Sequence, residues 1–190
     1  MIGRILGLCS RDYGHPTMYE RLDSALSDFG SRQLSWESLV HESEAQGVAP
    51  LLYKHLEYMG FTLPDGNHRI LRSLAQRCRL SNQIRNSAIA EVLNIFRVEQ
   101  IDNLLVKGIA LANSSYSTPD LRPMRDIDLL VRSDDLEKAR KTLLEQGFRQ
   151  ETHHDIPEDY YHLPPLVKHI YGLPVTVELH HRLLPLDGNY

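Results

Sequence analysis

The sequence has little that would tie it to a disulfide scaffold, a membrane or a polyanion. Only two cysteines, Cys9 and Cys78, occur in 190 residues. They lie far apart and lack metal-ligand spacing, so they argue against a disulfide framework and read as two reduced thiols. No apolar run approaches the ~20 residues of a bilayer span. The apolar N-terminal stretch up to Cys9 is short and is followed by Arg11, Asp12 and Tyr13. It has neither a span's length nor a secretory leader's layout, and the expectation is a cytoplasmic protein with no membrane partner. A surplus of one charge is also missing. The formal net charge of -4 provides no field that would gather nucleic acid, which argues against a nucleic-acid partner. What is present, 42% apolar and 24% charged residues, is an ordinary globular balance in a chain long enough to bury a core.

The first 100 residues read as helices. Pro16 and Thr17 precede Glu20 at capping-box spacing, and Met18, Leu22, Ala25, Leu26 and Phe29 follow at helical intervals. Ser35 is placed to cap a second helix that Gly47 would end. Pro50 suits the first turn of a third, which Gly60 would stop. After the turn at Pro64-Asp65-Gly66, a long helix is predicted from about His68 to Val98, because Ile84, Ala88, Val92 and Phe96 recur every four residues beside Ile89 and Leu93. The pattern changes near residue 101. Asn103–Val106 reads as a buried strand, Ile109–Tyr116 as a short helix, and Asp126–Val131 as a second strand. A helix follows to about Gln146, then a short strand over Phe148–Thr152 and a hairpin of Leu166–Ile170 with Val175–Leu179 about Tyr171-Gly172. These predict an α+β protein: an N-terminal helical region over residues 1–100, and a small mixed sheet flanked by helices over 101–190.

The second strand carries the chemistry. Asp126 and Asp128 sit two apart around Ile127, so an extended backbone turns both carboxylates to one face. Two like charges side by side are unfavourable unless a cation neutralises them, and a hard divalent ion such as Mg2+ prefers oxygen ligands. A third carboxylate, Glu178, stands in the apolar run Val175-Thr176-Val177-Glu178-Leu179-His180, where a buried strand seldom spends a charge. It completes the set if the two strands are neighbours. Upstream, Lys107-Gly108 ends one strand and opens a helix. Glycine admits phosphate oxygens to the backbone, a helix N-terminus favours anions, and lysine adds a point charge.

These segments resemble the DNA polymerase beta-type nucleotidyltransferase superfamily. They resemble more closely an uncharacterised bacterial nucleotidyltransferase family with a helical N-terminal region. The resemblance rests on Leu105-Val106-Lys107-Gly108, Leu121-Arg122-Pro123-Met124, Asp126-Ile127-Asp128-Leu129-Leu130-Val131 and Val177-Glu178-Leu179-His180, with Trp36 and Gly47-Val48-Ala49-Pro50-Leu51-Leu52-Tyr53 upstream. It implies a polymerase beta-like core and magnesium-dependent transfer of a nucleoside monophosphate from a nucleoside triphosphate, ATP among the donors, with release of pyrophosphate. The acceptor would be a hydroxyl group on a small molecule or a protein. Asp126, Asp128 and Glu178 would hold two Mg2+ ions, with Mn2+ as an alternative, and Glu178 would also position or ionise the acceptor hydroxyl. Lys107, Gly108, Arg122 and Arg125 would meet the nucleotide. The sequence departs from the superfamily at Ile109, where serine or glycine is usual, and in the longer gap from Gly108 to Asp126. Family members continue past the third carboxylate, so a core cut short at its C-terminal end is expected. The departures motivate the alternative of a non-catalytic nucleotide-binding or partner-binding module.

Six of the ten histidines follow residue 150: His153, His154, His162, His169, His180 and His181. Adjacent histidines on a strand point to opposite faces and cannot easily share an ion, and none has the spacing of a zinc site. His180 shares a face with Glu178 and is expected beside it, facing substrate or packed behind the acids. Asp155, Glu158, Asp159, Tyr160 and Tyr161 predict a polar loop near the site.

Overall fold

A computed structural model describes residues 1–150 and 161–183. The chain divides into two units: residues 1–80 with 115–123, and residues 81–114 with 124 onward.

The first unit is helical: α1 (Ile2–Cys9), α2 (Pro16–Ser31), α3 (Trp36–Ala45), α4 (Ala49–Met59) and the first part of α5 (Asn67–Val98). Its core joins Ile5, Leu6, Leu22, Leu26, Phe29, Leu39, Leu52, Leu56 and Leu71. Each of these large side chains contributes about 1.5–3 kcal/mol by leaving water. Ser35 accepts a hydrogen bond from the Ser38 amide and caps α3, and Gly60 ends α4 in the left-handed conformation. The cap of α2 differs from the capping-box expectation. His15 accepts from the Met18 amide and Pro16 takes the first turn, where its missing N–H costs nothing. Asp12 is buried and binds both the Lys54 ammonium and the Ser117 amide, which pins residues 115–123 to this unit. Burial pushes the Asp12 carboxyl up. The hydrogen bonds from Lys54 and Ser117 outweigh it, and the net shift is downward.

In the second unit the predicted stripe of α5 is buried, with Ala88, Ile89, Val92 and Phe96 in one core with the sheet. The elements are β1 (Asn103–Val106), α6 (Lys107–Ser114), β2 (Asp126–Val131), α7 (Leu136–Glu145), β3 (Arg149–Gln150), β4 (Leu166–Ile170) and β5 (Leu173–His180). The strand order is β1-β2-β5-β4-β3. β2 pairs parallel with β5; the other pairings are antiparallel. The protein is therefore α+β, with seven α-helices and a five-stranded mixed sheet among the described residues.

Register positions the site. Asp128 stands opposite Glu178, Asp126 opposite Thr176 and Leu130 opposite His180. Ile127, Leu129, Val175, Val177 and Leu179 enter the core with Ile109, Ala112, Ala139 and Leu143. The even-numbered residues of both strands therefore share the opposite face. A slip of one residue would drive Asp126 and Asp128 into the apolar core, so the hydrophobic pattern itself fixes this register. No helix among the described residues is long and apolar enough to cross a membrane.

Candidate active site

Asp128 and Glu178, distant in sequence, meet as lateral neighbours on one face. Asp128, Glu178 and His180 each offer a ligand atom within 4.8 Å of those of the other two. His180 Nε2 lies 2.8 Å from Asp128 Oδ1 and 3.4 Å from Glu178 Oε2. Lys107 Nζ donates to the same Asp128 oxygen at 2.7 Å and lies 3.3 Å from His180 Nε2. Asp126, two residues back along β2, is partly exposed and is not one of these three, although the charges of Asp128 and Glu178 reach it.

The electrostatics separate the three acids. Burial pushes Asp128 up, but the hydrogen bonds of His180 and Lys107 and their charges reverse the shift, and its carboxyl is held down. Glu178 is also lowered, first by its hydrogen bond from His180 and then, against burial, by the charge of His162. Asp126 moves the other way. Burial raises it, and the charges of Asp128 and Glu178 raise it further, with only partial relief from its own backbone and Lys107. The face thus carries an incompletely neutralised negative charge at Asp126 beside an ion-paired Asp128. A second cation would be favoured there.

His180 is fully buried, so it lies behind the acids with its Nε2 turned to them. Burial alone would lower its pKa; the hydrogen bonds to Asp128 and Glu178 overcome this, and the net shift is upward. Its Nδ1 is buried without a hydrogen-bond partner among the described residues, and its polar contacts with them run through Nε2. The Tyr161 ring stacks on His180 with centroids 5.7 Å apart and holds the imidazole plane. His162 bridges backbone with His180, and its Nε2 lies 3.9 Å from Glu178 Oε2. Of the polar loop that the sequence suggested, Asp155, Glu158, Asp159 and Tyr160 fall outside the described residues, as do His153 and His154. His162 was not foreseen as a neighbour of Glu178, because only the β-bridge to His180 brings it there.

Lys107 and Gly108 begin α6 directly after β1. The left-handed backbone falls on Lys107, with φ of 51°, and not on the glycine. A methyl group at Gly108 would meet Met124 Cγ at 4.0 Å, an ordinary van der Waals contact, so the glycine is not required here by a close approach within the chain. Ile109, at the departure from the superfamily pattern, is buried in the core. Arg125 is exposed immediately before Asp126, while Arg122 belongs to the helical unit. Farther along the acid-bearing face, Leu104, Leu130, Arg132 and His181 line an open depression of about 350 Å³.

A sheet that sets two acids of one strand beside a third on the next, behind a strand-to-helix turn carrying lysine and glycine, suits binding of a cation and a phosphate group. Comparison with known families agrees: the chain belongs to the family described as uncharacterised nucleotidyltransferase, whose model matches residues 32–190. Its class is thus the nucleotidyltransferases, whose general chemistry is nucleotidyl transfer. No curated protein and no solved structure matches the chain.

Proposed function

We propose that the protein transfers a nucleoside monophosphate from a nucleoside triphosphate to a hydroxyl acceptor, with Mg2+ or Mn2+ and with release of pyrophosphate. The observation that carries this reading is the parallel register of Asp128 with Glu178, which gathers carboxylates from two strands on one face. The donor set fits a divalent cation. The Asp128 and Glu178 oxygens lie within one coordination-sized space beside His180, an ammonium already stands against Asp128, and Asp126 carries charge that its surroundings leave unbalanced. Bound at Asp126, Asp128 and Glu178, the cation would neutralise triphosphate charge and favour an ionised acceptor oxygen.

The chain's own residues supply the rest. His180 holds Asp128 in one orientation and is itself clamped by Tyr161. The positive end of α6 at Gly108 favours phosphate oxygens. Glu178, the most accessible acid beside His180, would orient the acceptor hydroxyl or take its proton. The depression floored by Leu104 and Leu130 would seat the acceptor's apolar body. Positioning and fixed charge, rather than covalent chemistry, would account for most of the acceleration.

The direct test is incubation with each α-labelled triphosphate and Mg2+ or Mn2+, following pyrophosphate and label on candidate small molecules, proteins and the chain itself. Label transfer that disappears in Asp128→Asn supports the reading. Failure of the folded protein to bind any triphosphate counts against it. A non-catalytic nucleotide-binding module draws on one observation: Ile109 is spent on core packing at the position where a phosphate-contacting serine would stand. Nucleotide binding without pyrophosphate release, across varied acceptors, would favour that second reading.

A further inference from the structure

Lys107 occupies a conformation that its residue type disfavours. Its φ of 51° lies in the left-handed region, where a Cβ crowds the following carbonyl. Glycine would relieve that crowding, yet the glycine stands one position later, where the backbone does not require it. Four other non-glycine residues among those described share this conformation, Gln33, Asp65, Gln100 and Tyr171, and what sets Lys107 apart is where its side chain goes. Its ammonium donates to Asp128 Oδ1 at 2.7 Å, lies 3.3 Å from His180 Nε2, and sits 5.8 Å from the Tyr161 ring centroid. The lysine side chain is 43% exposed and that of Asp128 only 4%. The ammonium is thus the solvent-side cover of a buried carboxylate, on the oxygen a cation would use.

We propose that Lys107 is an exchangeable counter-ion: its ammonium holds a cation position at Asp128 until a divalent ion and a triphosphate arrive, and it then moves to the phosphates. The inference rests on the metal-site reading above. Two cations cannot share one carboxylate oxygen at contact distance without strong repulsion, so an ion arriving alone must expel the ammonium into water. An ion arriving with a triphosphate gives the ammonium a new anionic partner. The flexible four-carbon stem of lysine permits the move, and a rigid guanidinium fork would not serve as well. The consequence is thermodynamic coupling: the triphosphate tightens metal binding, and by reciprocity the metal tightens triphosphate binding.

The test uses Mn2+, read from the loss of its free paramagnetic resonance signal, with and without a non-hydrolysable triphosphate. The native protein is compared with Lys107→Met, Lys107→Gly and Asp128→Asn, and circular dichroism checks each fold. Without nucleotide, Lys107→Met is expected to bind Mn2+ roughly fivefold tighter than the native protein, the scale of one partly exposed charged hydrogen bond. With triphosphate, the native protein should gain affinity for Mn2+ and Lys107→Met should gain markedly less. Lys107→Gly removes the competing charge while relieving the backbone, so it repeats the experiment if the methionine variant does not fold. Equal or weaker Mn2+ binding by the lysine variants, with native binding intact and abolished in Asp128→Asn, overturns the counter-ion while sparing the metal site. Failure of the native protein to bind Mn2+ overturns both.

Discussion

Replacing Asp126 with asparagine should make the ion-free protein more stable while destroying its response to metal. Residues two apart on a strand have Cα atoms about 7 Å apart, and at an effective dielectric of about 20 two like charges at that distance repel by about 2 kcal/mol. Asp126 is partly exposed, so solvent and salt leave about 1 kcal/mol of this as a stability effect. For a chain of this size that is a rise in Tm of about 2–4 °C. The sign agrees with titration. The carboxyl is raised from its ordinary value of 3.8, first by burial and then by Asp128 and Glu178, so its ionisation destabilises the fold. The penalty is absent below the unfolded value and fully developed once the pH has passed the folded one. The advantage of Asp126→Asn should accordingly vanish in acid and shrink at high salt. The native protein gains in the other direction. A divalent ion at about ten times its dissociation constant stabilises by about 1.4 kcal/mol, or about 3–6 °C, and the variant should gain almost none of this. Thermal melts by circular dichroism, with and without Mg2+ or Mn2+, should therefore show the variant ahead without metal and the native protein level or ahead with it. A variant that melts lower without metal, or that keeps the full metal response, refutes the reasoning.

Other outcomes follow from the same geometry. His180→Ala should weaken Mn2+ binding about 10–100-fold, because Asp128 loses the group that orients it; a titration calorimeter reads this directly. Ile127→Ala, on the core side between the two acids, should cost about 2–4 kcal/mol in urea denaturation while leaving metal affinity of the folded protein nearly unchanged. Asp12→Ala should cost about 1–3 kcal/mol and speed amide exchange at Ser117, whose N–H loses its acceptor. His55 is buried and its pKa is lowered from 6.5, chiefly by burial. Its contribution is fully present above pH 6.5 and is lost as the pH falls toward the folded value, because only the unfolded chain takes up the proton. His55→Gln should flatten the stability profile across that interval.

How much of this was legible in the sequence follows from which contacts are local. The alternation Asp126-Ile127-Asp128 announced two carboxylates on one face before any partner strand was known, because the period of a strand is a local property. The four-residue spacing of Ile84, Ala88, Val92 and Phe96 likewise announced the buried side of α5, which the core bears out. Glu178 was suspicious as a charge within an apolar run, but its pairing with Asp128 is a parallel contact across 50 positions, and only the folded sheet supplies its register. α1 escaped notice because eight residues containing Gly3 and Gly7 have weak intrinsic helicity; it is held by burial of Ile5, Leu6 and Cys9. Lys107-Gly108 drew attention to the glycine, whereas the unusual backbone is at the lysine. No propensity argument would put a left-handed residue there, and its side chain meets Asp128, 21 residues on, a contact that the local sequence does not announce.

The most direct test of the central claim is calorimetric titration of the folded protein with a non-hydrolysable nucleoside triphosphate, in the presence and absence of Mg2+, alongside Asp128→Asn. The account predicts binding that requires the metal and is lost in the variant. Triphosphate binding of equal strength without metal and in Asp128→Asn would contradict it, as would no binding at any metal concentration.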